Sequence, residues 1–294
     1  MKKEIWMIAA AAGMAGLTWF NYRQMMPKPR PVLGKQYEVE IRKLPITAGG
    51  HRLYGELLLP KGASGRLPTL ICSHGFNGSF RYFRGFTGMA LAMAGYAVYC
   101  FDFYGGSMRS RSGGKMTEMS VFTERDELNN VIAAVKALDF VDPDRLYLFG
   151  ESQGGLVTAL TAALHNGDVK AIVLYYPAFC AKDDMLRHYP TPESLPDRPK
   201  LMGKTLGRIY YEKLYDIDLY TEAAKYTGPV LIIHGDADRV VDVSYGRKAA
   251  AAYRKARLEI LHGQDHGFNA KGKEQAVRLV HDFLVTIQSR TETE

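Results

Sequence analysis

The sequence predicts an α/β domain: one mostly parallel, eight-stranded sheet with helices on both faces and a small inserted lid. Three observations carry this. Six short, nearly uninterrupted apolar runs, at 69–73, 97–101, 146–149, 171–175, 230–234 and 258–261, suit parallel strands buried on both faces. Longer helical patterns at 82–94, 124–138, 155–163, 245–256 and 273–287 alternate with those runs, which implies right-handed β-α-β crossovers. An alternating segment at 36–43, followed by 53–59 after a Gly49-Gly50 turn, adds an antiparallel hairpin at the start.

The domain is expected to occupy residues 32–294, with 1–31 outside it. Residues 5–20 form an uncharged run behind the charged head Met1-Lys2-Lys3-Glu4. As a helix the run spans roughly 24 Å, against about 30 Å for a bilayer core. Trp6, Trp19 and Tyr22 lie near its ends, where interfacial aromatics sit. The alternating prolines of Pro27-Lys28-Pro29-Arg30-Pro31 forbid helix and suit an extended tether. The run therefore reads as an uncleaved anchor or a signal segment, which predicts membrane association or secretion and an extracytoplasmic catalytic domain. No cysteine follows it, which excludes a lipoprotein anchor.

Hydrophobic residues make up 47% of the chain, enough for a large core, and 23% charged residues argue against disorder. The net charge of +7 is scattered, without the Lys/Arg blocks and interleaved aromatics of a nucleic-acid binder. Three cysteines cannot all pair, and Cys72 and Cys100 sit in apolar runs, so free buried thiols are expected. No C-x-x-C or metal-ligand spacing occurs, and neither a metal nor another cofactor is expected.

One stretch, 180–218, breaks the alternation. It contains Pro190, Pro192, Pro196 and Pro199 together with Tyr189, Tyr210, Tyr211 and Tyr215. A loop of this length inside a compact domain is usually functional, and its tyrosines argue against disorder. It is expected to fold over the site as a lid whose tyrosines wall a substrate pocket, each ring packing on an acyl group while its hydroxyl meets a polar one.

The chemistry is concentrated in Gly150-Glu151-Ser152-Gln153-Gly154, a G-x-S-x-G between the run at 146–149 and the next helix. Glycines on both sides permit a sharp strand-to-helix turn that lifts the serine oxygen clear of the backbone. A serine hydroxyl becomes a nucleophile only when a base takes its proton and an acid orients that base. Both are available on loops after later strands. Asp236, Asp238 and Asp242 follow the run at 230–234, and His262 and His266 follow the run at 258–261. Asp242 suits a cap for the next helix, Asp236 a turn, and His262 the end of its strand; His266 lies deeper in its loop.

From the tether onward the chain resembles the α/β-hydrolase superfamily. More closely it resembles the cinnamoyl (feruloyl) esterase-like serine hydrolases, through Ser73-His74-Gly75-Phe76, Phe101-Asp102-Phe103-Tyr104-Gly105-Gly106-Ser107, Thr117-Glu118-Met119-Ser120-Val121-Phe122-Thr123-Glu124 and Ser152-Gln153-Gly154-Gly155. The resemblance implies a Ser–Asp–His order. It selects Asp238 through the pattern H-G-x-x-D-x-V-V, with Asp236 as rival, and His266 through the ending D-H-G-F. It places the oxyanion donors at the backbone amides of Gln153 and Phe76, and gives His74 a loop-holding role. The activity it implies is hydrolysis of small carboxylic esters, short-chain or aromatic, with a lid between the sixth and seventh strands. Glu151 departs from it, since many relatives carry His there. Two other readings compete. Serine peptidases of the prolyl-oligopeptidase or aminopeptidase type share the Ser–Asp–His order but generally carry a propeller or a large helical cap. A non-catalytic scaffold would have no need of an intact Ser–Asp–His set.

Overall fold

In the computed structural model, residues 32–34 and 36–291 are described, so the apolar run at 5–20 lies outside them. Eight strands make the main sheet: β1 (Val39–Lys43), β2 (Gly55–Pro60), β3 (Leu67–Ser73), β4 (Ala97–Phe101), β5 (Val141–Glu151), β6 (Ala171–Tyr175), β7 (Val230–Gly235) and β8 (Ala256–Leu261). Their spatial order is β1-β2-β4-β3-β5-β6-β7-β8. The two pairings made by β2 are antiparallel and every other pairing in this sheet is parallel.

Alternation along the buried strands divides the core into two layers. Ile71, Tyr99 and Phe101 pack with Leu128, Val131, Ile132 and Val135 of α3 (Val121–Lys136) and with Leu156, Val157 and Leu160 of α4 (Gln153–Ala162). Leu70, Cys72, Val98 and Cys100 pack on the other face with Ala90 and Leu91 of α2 (Thr87–Met93) and Ala276, Val277, Val280 and Leu284 of α8 (Ala270–Thr291). All three cysteines are free and buried, as expected for Cys72 and Cys100 from their apolar runs.

Several expected elements come out differently. Gly49-Gly50 does not join β1 to β2. Both residues have positive φ and turn a smaller hairpin, Ile46–Ala48 with His51–Leu53, inserted between them. The helix expected over 82–94 is broken into α1 (Arg81–Gly85) and α2 because Phe86 leaves helical dihedrals (φ −136°, ψ −70°) to bury its ring. Helix α3 starts at Val121, ahead of 124, because Ser120 and Thr123 close a capping box.

Between β6 and β7, α5 (Ala181–His188) is followed by 3₁₀ turns at Pro192–Ser194, Arg208–Tyr210 and Glu212–Leu214 and by a two-residue hairpin, Lys200–Leu201 with Lys204–Thr205. A further short helix, α6 (Leu219–Ala223), is capped by Asp218, whose carboxylate accepts the Thr221 N–H. Helix α7 (Val243–Ala252) lies between β7 and β8. Among the described residues no helix is long and apolar enough to cross a membrane.

Candidate active site

Strand β5 delivers Ser152 to a turn that no ordinary strand-to-helix connection uses. Ser152 sits at φ 53°, ψ −121° and immediately precedes α4. A non-glycine residue in that region is strained, and such strain is retained only where the surroundings over-determine it. The Ser152 N–H donates to the Tyr175 carbonyl, and the Ser152 carbonyl accepts from the amides of Gly155, Leu156 and Ala178. The flanking glycines permit the sharp turn expected of them by close backbone approach. Neither has positive φ; instead a Cβ on Gly150 would lie 2.2 Å from the Gly154 carbonyl oxygen, and one on Gly154 would lie 2.2 Å from that of Ser73. They let the helix, the strand and the loop after β3 touch backbone to backbone.

The loops after β7 and β8 bring two side chains to that serine. His266 Nε2 is 3.0 Å from Ser152 Oγ, and His266 Nδ1 is 2.8 Å from Asp238 Oδ2. An ionised Asp238 can only accept, so Nδ1 carries the proton and Nε2 is left as the acceptor of the serine O–H. Asp238 Oδ1 accepts the amides of Val240 and Val241 at 2.8 and 2.9 Å. Burial alone would raise the Asp238 pKa, but the close approach of the His234 ring N–H and the hydrogen bonds from His266 and the Val241 amide outweigh it and hold the carboxyl well below the usual range. The two loops are tied by Asp265. It accepts the Arg239 backbone amide at 3.0 Å and that of His266 at 2.8 Å, and forms a two-pronged ion pair with the Arg239 guanidinium.

The rival carboxylate is elsewhere. Asp236 accepts from Gly263 N at 2.6 Å and pairs with His262 Nδ1 at 2.7 Å, on the solvent side. It bonds the facing loop rather than serving as a self-bonded turn. Asp242 caps α7 by accepting the Ser244 amide.

On the other side of the serine runs the loop after β3. A Cβ placed on Gly75 would lie 3.0 Å from Ser152 Cβ, which puts Phe76 and the Gln153 turn beside Ser152. Among the described residues neither the Phe76 nor the Gln153 amide donates a hydrogen bond within the fold. His74 is buried and holds this loop, donating to the Gly75 carbonyl at 2.9 Å and accepting the Phe103 amide at 3.2 Å. Of the four tyrosines singled out in the insertion, Tyr210 and Tyr211 are buried with rings edge to face. Tyr189 is half-buried against Tyr211, and the half-buried Tyr215 donates to the carbonyls of Tyr189 and Thr191.

Three further residues lie near the serine; of these only Tyr176 carried no sequence signal, since His234 opens the H-G-x-x-D-x-V-V pattern and Glu151 stands where many relatives carry His. His234, at the end of β7, donates Nε2–H to the Val241 carbonyl at 2.9 Å and lies 3.4 Å from Asp238 Oδ2. Tyr176 stacks obliquely on His266, ring centroids 4.4 Å apart, and donates its hydroxyl to Glu151 at 3.1 Å. Glu151 points beneath the elbow, into a small cavity lined also by Tyr82, Tyr175, Tyr176, Phe268 and Lys273. Burial raises its pKa, with Lys273 and the Tyr176 hydroxyl opposing. Among the described residues no cluster of three or more His, Cys, Asp or Glu could hold a metal ion.

Comparison with known proteins agrees with this geometry. Residues 82–289 match the prolyl oligopeptidase family. Est1E from Butyrivibrio proteoclasticus, solved with ferulic acid bound, superposes with a TM-score of 0.76 at 28% identity, covering 84% of this chain and 99% of that one. An uncharacterized peptidase, YtmA, of Bacillus subtilis is 26% identical over 223 residues, 70% of this chain and 81% of its own. The monoacylglycerol lipase of Mycolicibacterium smegmatis is 26% identical over 232 residues, 66% and 79% of the two chains. A strained serine elbow facing a histidine, and relatives that match across most of their own length, lead to one assignment: this chain is a serine hydrolase of the α/β-hydrolase fold and belongs to the prolyl oligopeptidase family.

Proposed function

We propose that the protein is a carboxylic-ester hydrolase that works through an acyl-enzyme on Ser152, and that its esters are short-chain or aromatic, of the cinnamoyl/feruloyl type. The observation that carries the chemistry is the continuous line Ser152 Oγ–His266 Nε2, His266 Nδ1–Asp238 Oδ2, at 3.0 and 2.8 Å. Ser152 Oγ attacks the ester carbonyl while His266 Nε2 takes its proton, and Asp238 stabilises the resulting imidazolium. The amides of Gln153 and Phe76 receive the tetrahedral oxyanion. His266 then protonates the departing alcohol, and a water activated by the same histidine releases the acid. Support for the aromatic acyl group comes from the similarity to Est1E, solved with ferulic acid, and from the aromatic cluster in the insertion. Tyr189 and Tyr211 supply pocket walls; the hydroxyls of Tyr210 and Tyr215 are engaged within the chain.

A peptidase reading is favoured by YtmA, described as a peptidase, and by the family name. One panel separates the two: p-nitrophenyl acetate, a longer acyl ester and methyl ferulate against an aminoacyl-p-nitroanilide, with wild type and Ser152→Ala. The ester reading expects turnover of the esters and not of the anilide, and Ser152→Ala reduced to about 10³–10⁴-fold over water. Faster cleavage of the anilide than of any ester would establish the peptidase instead.

Residues 5–20 would hold this activity at a membrane with the catalytic domain outside the cytoplasm. The full chain should then sediment with membranes and resist carbonate extraction, and a chain starting at Gln36 should be soluble and active. A mature N-terminus near Gly16 would identify a cleaved signal.

A further inference from the structure

One side chain of the insertion touches both residues that flank the serine on its oxyanion side. Tyr210 donates its hydroxyl to Gln153 Oε1 at 2.6 Å, and its ring meets that of Phe76 edge-on with centroids 6.0 Å apart. The other end of the Gln153 side chain donates Nε2–H to Glu124 Oε2 of α3 at 2.8 Å. All three polar side chains are buried: Tyr210, Gln153 and Glu124 are 4%, 3% and 1% exposed. With water excluded, each partner lost leaves a buried polar group unsatisfied, so the chain of bonds is specific in orientation as well as position. The insertion is clamped beside it. A Cβ on Gly207 would lie 2.1 Å from the Thr117 carbonyl oxygen, so its backbone rests directly on the segment leading into α3. The Tyr210 amide bonds back to the Gly207 carbonyl at 3.0 Å, making Gly207–Tyr210 one turn with its start fixed on Thr117 and its end on Gln153.

We propose that Tyr210 is a positioning residue for the oxyanion hole. Gln153 is the first residue of α4, so its amide belongs to the end of the helix that internal hydrogen bonds do not hold. Pinning the Gln153 side chain between Tyr210 and Glu124 fixes its backbone, and the Tyr210 ring fixes Phe76. The insertion thereby completes the catalytic centre instead of only covering it. The proposal rests on Ser152 being the nucleophile and on these two amides being the donors.

Phosphonylation of Ser152 by a fluorophosphonate tests it, because the phosphoryl oxygen uses the same donors whatever the natural ester. Tyr210→Phe keeps the ring and removes the hydroxyl, and rates are expressed per active serine by titration. The labelling rate constant should fall about three- to tenfold, the worth of one net hydrogen bond. In full-chain ester assays kcat should fall by the same factor for acetyl and feruloyl esters, with KM within about twofold. In a Gln153→Ala background Tyr210→Phe should cost nothing further, since it acts through that residue. Unchanged labelling would overturn the proposal, as would additive losses in the double variant. So would a KM rise confined to the aromatic ester, which would make Tyr210 a pocket wall. Failure of the wild type to hydrolyse any ester would overturn the esterase reading alone, because labelling still reports on Tyr210.

Discussion

Two aspartate–histidine pairs bridge the loops after β7 and β8, and by distance they are twins. Asp238–His266 and Asp236–His262 both join Oδ2 to Nδ1, at 2.8 and 2.7 Å. Their surroundings differ. The side chains of Asp238 and His266 are 0% and 20% exposed, against 34% and 88% for Asp236 and His262. Asp238 takes two backbone amides on its other oxygen and has His234 beside it, and His266 reaches Ser152. A short contact in solvent is screened and weak. The same contact in a buried, fully satisfied frame can hold one tautomer against the Ser152 hydroxyl.

Burial alone does not make a useful carboxylate. Glu127 in α3 is buried with a single backbone donor, Tyr104 N at 3.0 Å, and burial pushes its pKa up to about 8. Asp238 is held low by the number of its donors. The two groups therefore act oppositely on stability. The contribution of Asp238 is present above its unfolded pKa, near 3.9, and is lost as pH falls through the lower folded value. Glu127 is neutral in the fold, so stability is lost as pH rises from about 4.3 toward 8.

Breaking the buried pair has the largest expected effect. Asp238→Asn should lower kcat by about 10⁴, through the wrong imidazole tautomer, with KM little changed in steady-state ester assays. Next comes the support behind it. His234→Gln should reduce kcat about three- to tenfold, the range of one hydrogen bond, and a full activity loss would promote His234 to the core of the machinery. Asp236→Asn should leave kcat/KM within about twofold, and its exposed pair should show no effect of 1 M salt on catalysis. The smallest effect is on stability alone. Glu127→Gln retains an acceptor for Tyr104 N and should flatten the pH dependence of urea unfolding between about pH 4.3 and 8 without altering ester turnover.

The sheet was legible because strands buried on both faces leave unbroken apolar runs, and the elbow because its glycines record backbone contacts that no side chain survives. Choosing Asp238 over Asp236 needed the family resemblance. Both are aspartates in one turn, and what separates them, a histidine from another strand and two local amides, is spatial. His234 opens the same H-G-x-x-D-x-V-V pattern, but the sequence does not show that the carboxylate four residues on folds back beside it. The break at Phe86 and the inner hairpin at Gly49-Gly50 were missed because tertiary burial and pairing override local pattern there. In the insertion the tyrosines stood out by composition, but not which of them would bond Gln153.

The most direct measurement is the fluorophosphonate labelling rate of wild type, Asp238→Asn and Asp236→Asn, with the modified peptide identified by mass spectrometry. The assignment of Asp238 as the acid behind His266 requires one adduct, on Ser152, formed orders of magnitude more slowly in Asp238→Asn and at the wild-type rate in Asp236→Asn. Labelling that is undiminished in Asp238→Asn, or slowed instead in Asp236→Asn, would contradict it.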